Sequence, residues 1–240
     1  REYNLELVVT VPSVAYHVYV QGSEAPLIVR GPLELPDPSQ IIRIEEPIMD
    51  MRIITPHPYL GAALETVQVF RGSMISMEYL EAQRVMLDVR IPLASILTHF
   101  YDRLKSVSAG YATVNYHLTG YQAVEVVRLD ILVAGDLVEA MASMVYRDES
   151  YRVGRSIVER LKTVLPRQMF EVKIQAAIGG KVIASAHLSA RRKDVTAKLY
   201  GGDVTRKRKL LEKQKKGKQR MKAAGRVDIP HTAFLEILQR

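Results

Sequence analysis

The pattern of apolar residues over residues 47–119 constrains the fold more than any other feature of the sequence. Four segments are predicted strands: 48–55, 73–80, 84–91 and 111–118. Two helices are predicted, one that begins after the turn at Pro56 and Pro58 and one that begins at Pro92. The order β-α-β-β-α-β predicts an α+β fold, a ferredoxin-like domain with an antiparallel sheet and both helices on one face.

Two of these segments also predict which side chains are buried. Alternate residues of the third strand are apolar and should share one face: Val85, Leu87, Val89 and Ile91. The helix that follows Pro92 carries one apolar stripe: Leu93, Ile96, Leu97, Phe100 and Leu104. Gly72 and Gly110 suit the ends of the two helices.

The segments on either side suggest where the domains begin and end. Residues 3–20 predict one or two strands broken near Pro12, and the proline-rich segment 31–40 predicts a linker or an irregular crossover. The predicted division is the end of a preceding domain plus linker, the ferredoxin-like domain and a C-terminal domain: 1–46, 47–122 and 123–240.

The last third predicts a second small α/β domain. Residues 124–145 indicate two strands around Gly135 and Asp136, although a short helix over 137–144 also fits. A helix over 152–165, ended by Pro166, should bury four apolar residues: Ile157, Val158, Leu161 and Leu165. Two strands joined at Gly179–Gly180 should follow: 169–178 and 181–189.

Charge is divided unevenly along the chain. Residues 1–150 contain 11 Lys and Arg against 19 Asp and Glu, a net charge of −8, whereas residues 151–240 contain 23 against 7, a net of +16. This asymmetry predicts a polyanionic partner for the second part alone. The chain has no cysteine, which excludes disulfides, thiolate metal sites and cysteine nucleophiles.

More than half of the net positive charge of residues 151–240 lies in residues 206–222, which contain ten cations and one acid. They predict a basic helix over about 204–224, with Leu210, Leu211 and Met221 as its inward side chains. A solvated basic tail is the alternative, but the apolar residues at 233–238 argue for an anchored helix. The predicted nucleic-acid-binding residues are Arg191, Arg192, Lys193, Lys198, Tyr200, Arg206, Lys207, Arg208, Lys209, Lys213, Lys215, Lys216, Lys218, Arg220 and Lys222.

Other chemical signals in the sequence are weak. There is no phosphate-binding GxxxxGK[ST] loop, no HExxH motif and no nucleophile elbow, so no catalytic or metal-binding residue is predicted. Residues 110–116 partly match the RNP1 pattern of RNA-recognition domains, but packing of Tyr111 and Tyr116 in the sheet is the favoured interpretation. Gly201 and Gly202 predict a sharp backbone turn before the basic helix.

Several motifs resemble one family of translation factors. The run from Lys198 to Leu211 (KLYGGDVTRKRKLL) and residues 213–218 (KQKKGK) resemble the C-terminal signature of the LepA, or elongation factor 4, family. Residues 102–106 (DRLKS) resemble its elongation-factor-G-like fifth domain, and residues 174–179 (IQAAIG) its own C-terminal domain. The resemblance covers nearly the whole chain.

The resemblance implies the C-terminal part of a ribosome-associated GTPase, which acts in back-translocation or translation quality control. It implies rRNA of the large subunit and tRNA as partners, and GTP and magnesium as cofactors of a missing N-terminal GTPase domain. It also implies a cytoplasmic location, where the basic face could at most touch the anionic surface of the cell membrane. The alternative is a free-standing basic RNA-binding or ribosome-associated protein without a GTPase domain.

Overall fold

The computed structural model describes residues 13–80, 83–191, 195–196, 204–224, 227, 229–230 and 233–234. These residues form two compact units that divide between Val126 and Val127. Each unit has an antiparallel sheet, helices and a hydrophobic core of its own. Among the helices described, none is long and apolar enough to span a membrane.

The first unit is built on one six-stranded sheet. Its strands are β1 (Tyr16–Val20), β2 (Leu27–Val29), β3 (Ile41–Pro56), β4 (Ser73–Leu80), β5 (Arg84–Pro92) and β6 (Thr113–Ala123). One edge of the long strand β3 pairs first with β1 and then with β5, and its opposite edge pairs with β6. The order β6-β3-β5-β4, antiparallel throughout, confirms the ferredoxin-like domain predicted from the sequence.

The helices of this unit cover one face of the sheet. They are α1 (Leu60–Val69), α2 (Leu93–Ser95) and α3 (Tyr101–Val107), and a π-helical segment, Ile96–Phe100, joins α2 to α3. The four alternate apolar residues of β5 are fully buried, as predicted: Val85, Leu87, Val89 and Ile91. They pack with Met51 and Ile53 of β3 against Val67 of α1 and Phe100.

The helix predicted after Pro92 is interrupted. Thr98 has φ −89° and ψ −144°, which is not helical, and its hydroxyl donates a hydrogen bond to the carbonyl of Ser95 at 2.9 Å. A threonine side chain that bonds to the preceding turn competes with the helical backbone bonds there. The predicted apolar stripe is therefore wrong at Leu97, whose side chain is 42% exposed, whereas Ile96 and Phe100 are buried.

Helix α1 ends in a tight turn that requires a glycine. The amide of Gly72 donates to the carbonyl of Val67 at 2.8 Å, and the amide of Arg71 donates to Gln68 at 3.0 Å. A Cβ on residue 72 would lie 2.7 Å from Val67 Cγ1. The predicted stop of the helix at Gly72 is thus confirmed, and Arg71 takes the left-handed conformation (φ 63°) beside it.

The face of the sheet opposite the helices carries two cross-strand ion pairs between β3 and β5. Arg90 Nε lies 2.9 Å from Asp50 Oδ1, and Arg52 Nε lies 2.8 Å from Asp88 Oδ1. The hydrogen bond from Arg90 lowers the pKa of Asp50, and the hydrogen bond from Arg52 lowers the pKa of Asp88. These pairs hold the two strands in register on a solvent-facing surface.

The lowered pKa values predict how stability depends on pH. An unfolded Asp has a pKa of about 3.9, and these two folded carboxyls have lower pKa values. Their contribution to the free energy of unfolding is therefore present above about pH 5 and is lost as pH falls through the folded pKa. We expect the variant D50N/D88N to lose less stability on acidification than the unmodified chain. The measurement is the free energy of urea unfolding between about pH 2.5 and 6. Asp102→Asn in α3 is the control, and an unchanged acid slope in the double variant would contradict the prediction.

The second unit has a five-stranded sheet and helix α4 (Ser150–Val164). Its strands are β7 (Val126–Val133), β8 (Asp136–Leu137), β9 (Ser143–Tyr146), β10 (Val172–Ile178) and β11 (Lys181–Leu188). The order is β11-β10-β7-β8, and β9 also pairs with β7. The predicted hairpins are present, since Ala134 and Gly135 link β7 to β8 and Gly179–Gly180 link β10 to β11.

Helix α4 packs its apolar stripe on this sheet as predicted. The predicted inward residues Ile157, Val158 and Leu161 are buried, and so is Leu165, which directly follows the helix. The helix lies close to the sheet at Gly154, where a Cβ would sit 3.1 Å from Ala176 Cβ. The alternative helix over 137–144 is wrong, because that segment contains only the 3-10 turn Glu139–Met141 between two strands.

The predicted division at residues 46 and 122 stays a prediction. Strand β3 begins at Ile41 and continues through Pro47, so β1 and β2 extend the sheet of the ferredoxin-like domain. Most of the strands predicted over 3–20 lies outside the described residues, which begin at Ser13.

Candidate nucleic-acid interface

The basic segment forms a single helix, α5 (Val204–Ala224), which matches the bounds predicted from the sequence. Of its side chains that the structure describes, none is buried. The chain on both sides of α5 is tied to the core of the second unit. Leu188 is buried before the helix, and after it Ala233 is buried and Phe234 packs on the same core. This arrangement supports an anchored helix over a free basic tail.

One stripe of α5 is partly covered. The half-exposed residues are Lys207, Leu210, Gln214, Gly217 and Lys218. They recur every three to four residues, which places them on one side of the helix. The predicted inward set is therefore wrong in part, because Leu211 is 52% exposed and Met221 is 50% exposed.

The side of α5 that flanks this stripe carries a row of cations, which we call the cationic ridge. Its residues are Arg206, Lys209, Lys213, Lys216 and Arg220, spaced by three or four positions. At 1.5 Å per residue the ridge is about 21 Å long. Its first four side chains are exposed, and residue 220 is placed there by its register on the helix.

Acidic neighbours neutralise little of this ridge. The one acid of α5, Glu212, pairs with Arg208 Nε at 3.4 Å, and Arg208 does not belong to the ridge. Lys209, Lys213 and Lys216 have no carboxylate partner among the described residues. A row of like charges that repel one another is a cost to the isolated helix, and a polyanion would remove that cost.

The other predicted nucleic-acid-binding residues have different positions. Arg191 is exposed and lies upstream of the basic segment, and Lys215 is exposed on a different side of α5 from the ridge. Six predicted residues lie outside the described residues: Arg192, Lys193, Lys198, Tyr200, Gly201 and Gly202. Lys222 is within α5, but its side chain is not described.

Two tyrosines of the first unit are more exposed than the sequence suggested. Tyr111 is 66% exposed and Tyr116 is 44% exposed, so the expected packing inside the sheet is wrong for both. Tyr111 instead stacks on Tyr59 with ring centroids 6.2 Å apart, and Tyr116 lies 6.2 Å from the ring of Tyr101. Burial and the hydrogen bond with Tyr116 raise the pKa of Tyr101.

A surface recess in the second unit was not predicted. It has a volume of about 700 Å³ and is lined by Pro166, Arg167, Ser189, Ala190 and Arg191. The amide of Arg191 donates to the carbonyl of Gln168 at 2.7 Å, and this bond joins the segment after β11 to the segment after α4. Arg167 stands apart from the basic segment in sequence, so no charge run identifies it.

The described residues contain no group of three or more His, Asp or Glu side chains that could hold a metal ion.

Comparison with known proteins relates both units to translation factors. A family model described as the C-terminus of elongation factor G matches residues 43–132, and one described as the C-terminus of GTP-binding protein LepA matches residues 133–239. Elongation factor 4 from Gloeothece citriformis is 52% identical over 239 residues, which are 100% of this chain and 39% of that protein. Elongation factor 4 from Clostridium novyi is 48% identical, again over 100% of this chain and 40% of the relative.

Taken together, the ferredoxin-like unit, the second α/β unit and the basic helix define the C-terminal part of an elongation-factor-type protein. The chain belongs to the elongation factor 4, or LepA, family. It spans about 40% of the length of the relatives that it matches.

Proposed function

We propose that this chain is the part of a translational GTPase that binds the ribosome and tRNA, and that α5 makes the principal contact with their phosphates. The observation that carries the proposal is the cationic ridge, which exposes cations at helical spacing with few acidic neighbours. Lys and Arg side chains that neutralise phosphates release counterions, and this release supplies sequence-independent affinity.

The distribution of charge limits where this contact can lie. The described side chains of the first unit include paired Asp and Arg on the open face of its sheet, as in Asp50–Arg90 and Arg52–Asp88. Cations that are already paired gain little from a phosphate. Helix α5 has ten cations and one acid, a net charge of +9. The proposal therefore assigns phosphate binding to the second unit.

The proposed role of the whole factor is ribosomal back-translocation or translation quality control. GTP and magnesium would act in the part of the longer relatives that this chain does not span, since residues 1–240 contain no GxxxxGK[ST] loop to cradle phosphates. A free-standing RNA-binding protein is the second candidate. The coding sequence upstream of residue 1 separates the two, because only the first requires a GTPase motif there.

Co-sedimentation of the 240-residue chain with ribosomes, read across salt concentration, tests the proposal. If about six phosphates are contacted, log affinity should fall against log salt with a slope of roughly −4 to −5. Free tRNA should compete for the same surface. A slope near zero would contradict the proposal.

Vesicles that contain anionic lipid form a second arm of this experiment, because a basic face also attracts an anionic membrane. We expect ribosomes and tRNA to retain the chain at salt concentrations that release it from vesicles. Retention by vesicles alone would favour peripheral membrane contact and would count against the proposed function.

A further inference from the structure

We propose that the recess lined by Arg167 and Arg191 binds a phosphate group. The two arginines converge on one concave surface from different segments of the chain, one after α4 and one after β11. None of the five lining residues is acidic. A guanidinium presents its donors in a planar fork that matches phosphate oxygens, and two such forks on one recess favour a dianion or a phosphodiester.

The charges of the two arginines are not neutralised by the carboxylates that the structure describes, and what sets them apart from other unpaired arginines is that both line one recess. Several arginines of the described chain pair with carboxylates, for example Arg52 with Asp88 at 2.8 Å and Arg128 with Asp130 at 2.9 Å. Arg167 and Arg191 have no carboxylate partner among the described residues, although both side chains are exposed. Their charge remains available to an anion from solution.

Two backbone features constrain the segments that line the recess. Pro166 restricts the backbone before Arg167, and the 2.7 Å hydrogen bond from the Arg191 amide to Gln168 joins the two segments. Leu165 and Leu188, which precede these segments, are buried in the core. Ser189 adds a hydroxyl that can donate to a phosphate oxygen. Such constraints lower the entropy lost when an anion binds.

The source of the phosphate is either an RNA backbone or a free phosphate ion, and the chemistry of the recess fits both. Binding of an RNA backbone in the recess rests on the proposed function, whereas binding of a free phosphate ion does not. Arg191 belongs to the same unit as α5, whose ridge is the proposed phosphate contact, so the backbone of RNA is the source that we favour.

The first arm of the test needs no variant. Phenylglyoxal modifies exposed arginines, and mass spectrometry of the full 240-residue chain measures the rate at each site. Inorganic phosphate at about twice its Kd should slow the modification of Arg167 and Arg191 about threefold relative to chloride at equal ionic strength, because protection follows 1 + [L]/Kd. Arg155 on α4 is the control, since it is exposed and has no carboxylate partner among the described residues.

The second arm identifies the source. At about 0.1 M salt the variant R167Q/R191Q should weaken binding of a hairpin RNA that lacks a terminal phosphate by roughly 25- to 60-fold, and should reduce the salt slope by roughly 1.4 to 1.8. Arg155→Gln should change neither quantity. Phosphate protection together with weaker RNA binding supports a site for the RNA backbone. Protection with unchanged RNA binding supports a site for free phosphate.

Absence of protection together with unchanged RNA affinity would overturn the proposal. That result is distinct from failure of the proposed function, which would appear as RNA binding that does not depend on the cations of α5. Circular dichroism and the melting temperature of R167Q/R191Q show whether the second unit remains folded.

Discussion

Replacement of Lys209, Lys213 and Lys216 by glutamine is expected to weaken RNA binding by about 100-fold at about 0.1 M salt. These three residues lie on the cationic ridge of α5 and have no carboxylate partner among the described residues. Glutamine has nearly the helix propensity of lysine and is neutral, so α5 should persist while its charge falls. Fluorescence anisotropy with a labelled tRNA, repeated across salt, measures both the affinity and the slope.

The expected size follows from counterion release. Each contacted phosphate contributes about 0.9 to the slope of log affinity against log salt for duplex RNA, if duplex RNA behaves as B-DNA does. Three lost contacts should therefore reduce the slope by roughly 2 to 3. At about 0.1 M salt each unit of slope corresponds to about one decade in affinity, which gives the 100-fold estimate.

Two controls distinguish a specific effect of the ridge on RNA binding from an effect of the net charge of the chain. The variant R155Q/K162Q/K181Q removes the same number of cations from α4 and β11 of the same unit, and should weaken binding far less. Glu212→Gln removes the one acid of α5 and frees Arg208, so it should strengthen binding severalfold. Equal losses in the two triple variants would show that α5 acts only through general charge.

The existence of α5 could be predicted from sequence, but its orientation could not. The bounds 204–224 follow from a run of good helix formers between glycines, and they agree with the structure. Apolar residues on this helix are too few to define a stripe, and the predicted inward position of Leu211 is wrong because its side chain is 52% exposed. Which side of a polar helix is covered depends on its anchors at both ends, and local periodicity does not encode that.

The recess, like the orientation of α5, could not be predicted from the sequence. Arg191 was predicted because it adjoins a basic run, whereas Arg167 sits alone after a proline. The two residues meet because α4 and β11 end beside each other and the Arg191 amide bonds to Gln168. A pairing between segments more than twenty residues apart is a product of the tertiary fold.

The ferredoxin-like sheet, by comparison, was largely predictable. Strict alternation in β5 and proline at the start of each helix specify the elements, and their order specifies the topology. The prediction failed where a local hydrogen bond overrides periodicity. The Thr98 hydroxyl bonds to the Ser95 carbonyl, and the helix breaks within the stripe that the apolar residues define.

Substitution of Phe100, which follows this break, should cause the largest change in stability. Phe100 is fully buried and contacts the ring of Phe70 edge-on with centroids 5.4 Å apart. Phe100→Ala should lower the free energy of unfolding of the first unit by about 3–5 kcal/mol, because it removes a buried aromatic ring and leaves a cavity. Hydrogen exchange of peptides from β3 and β5 measures the loss, and peptides from β7 and β10 should be unaffected.

Leu97→Ala is the matched control, since it changes the same predicted stripe one turn earlier. An unbroken helix would bury Leu97 and Phe100 together, and both substitutions would then be costly. In the structure Leu97 is 42% exposed, so its loss should cost less than about 1 kcal/mol. Phe100→Leu, which keeps most of the buried volume, should fall between the two and remain folded. If Leu97→Ala proves as costly as Phe100→Ala, the helix is continuous in solution and the break at Thr98 is wrong.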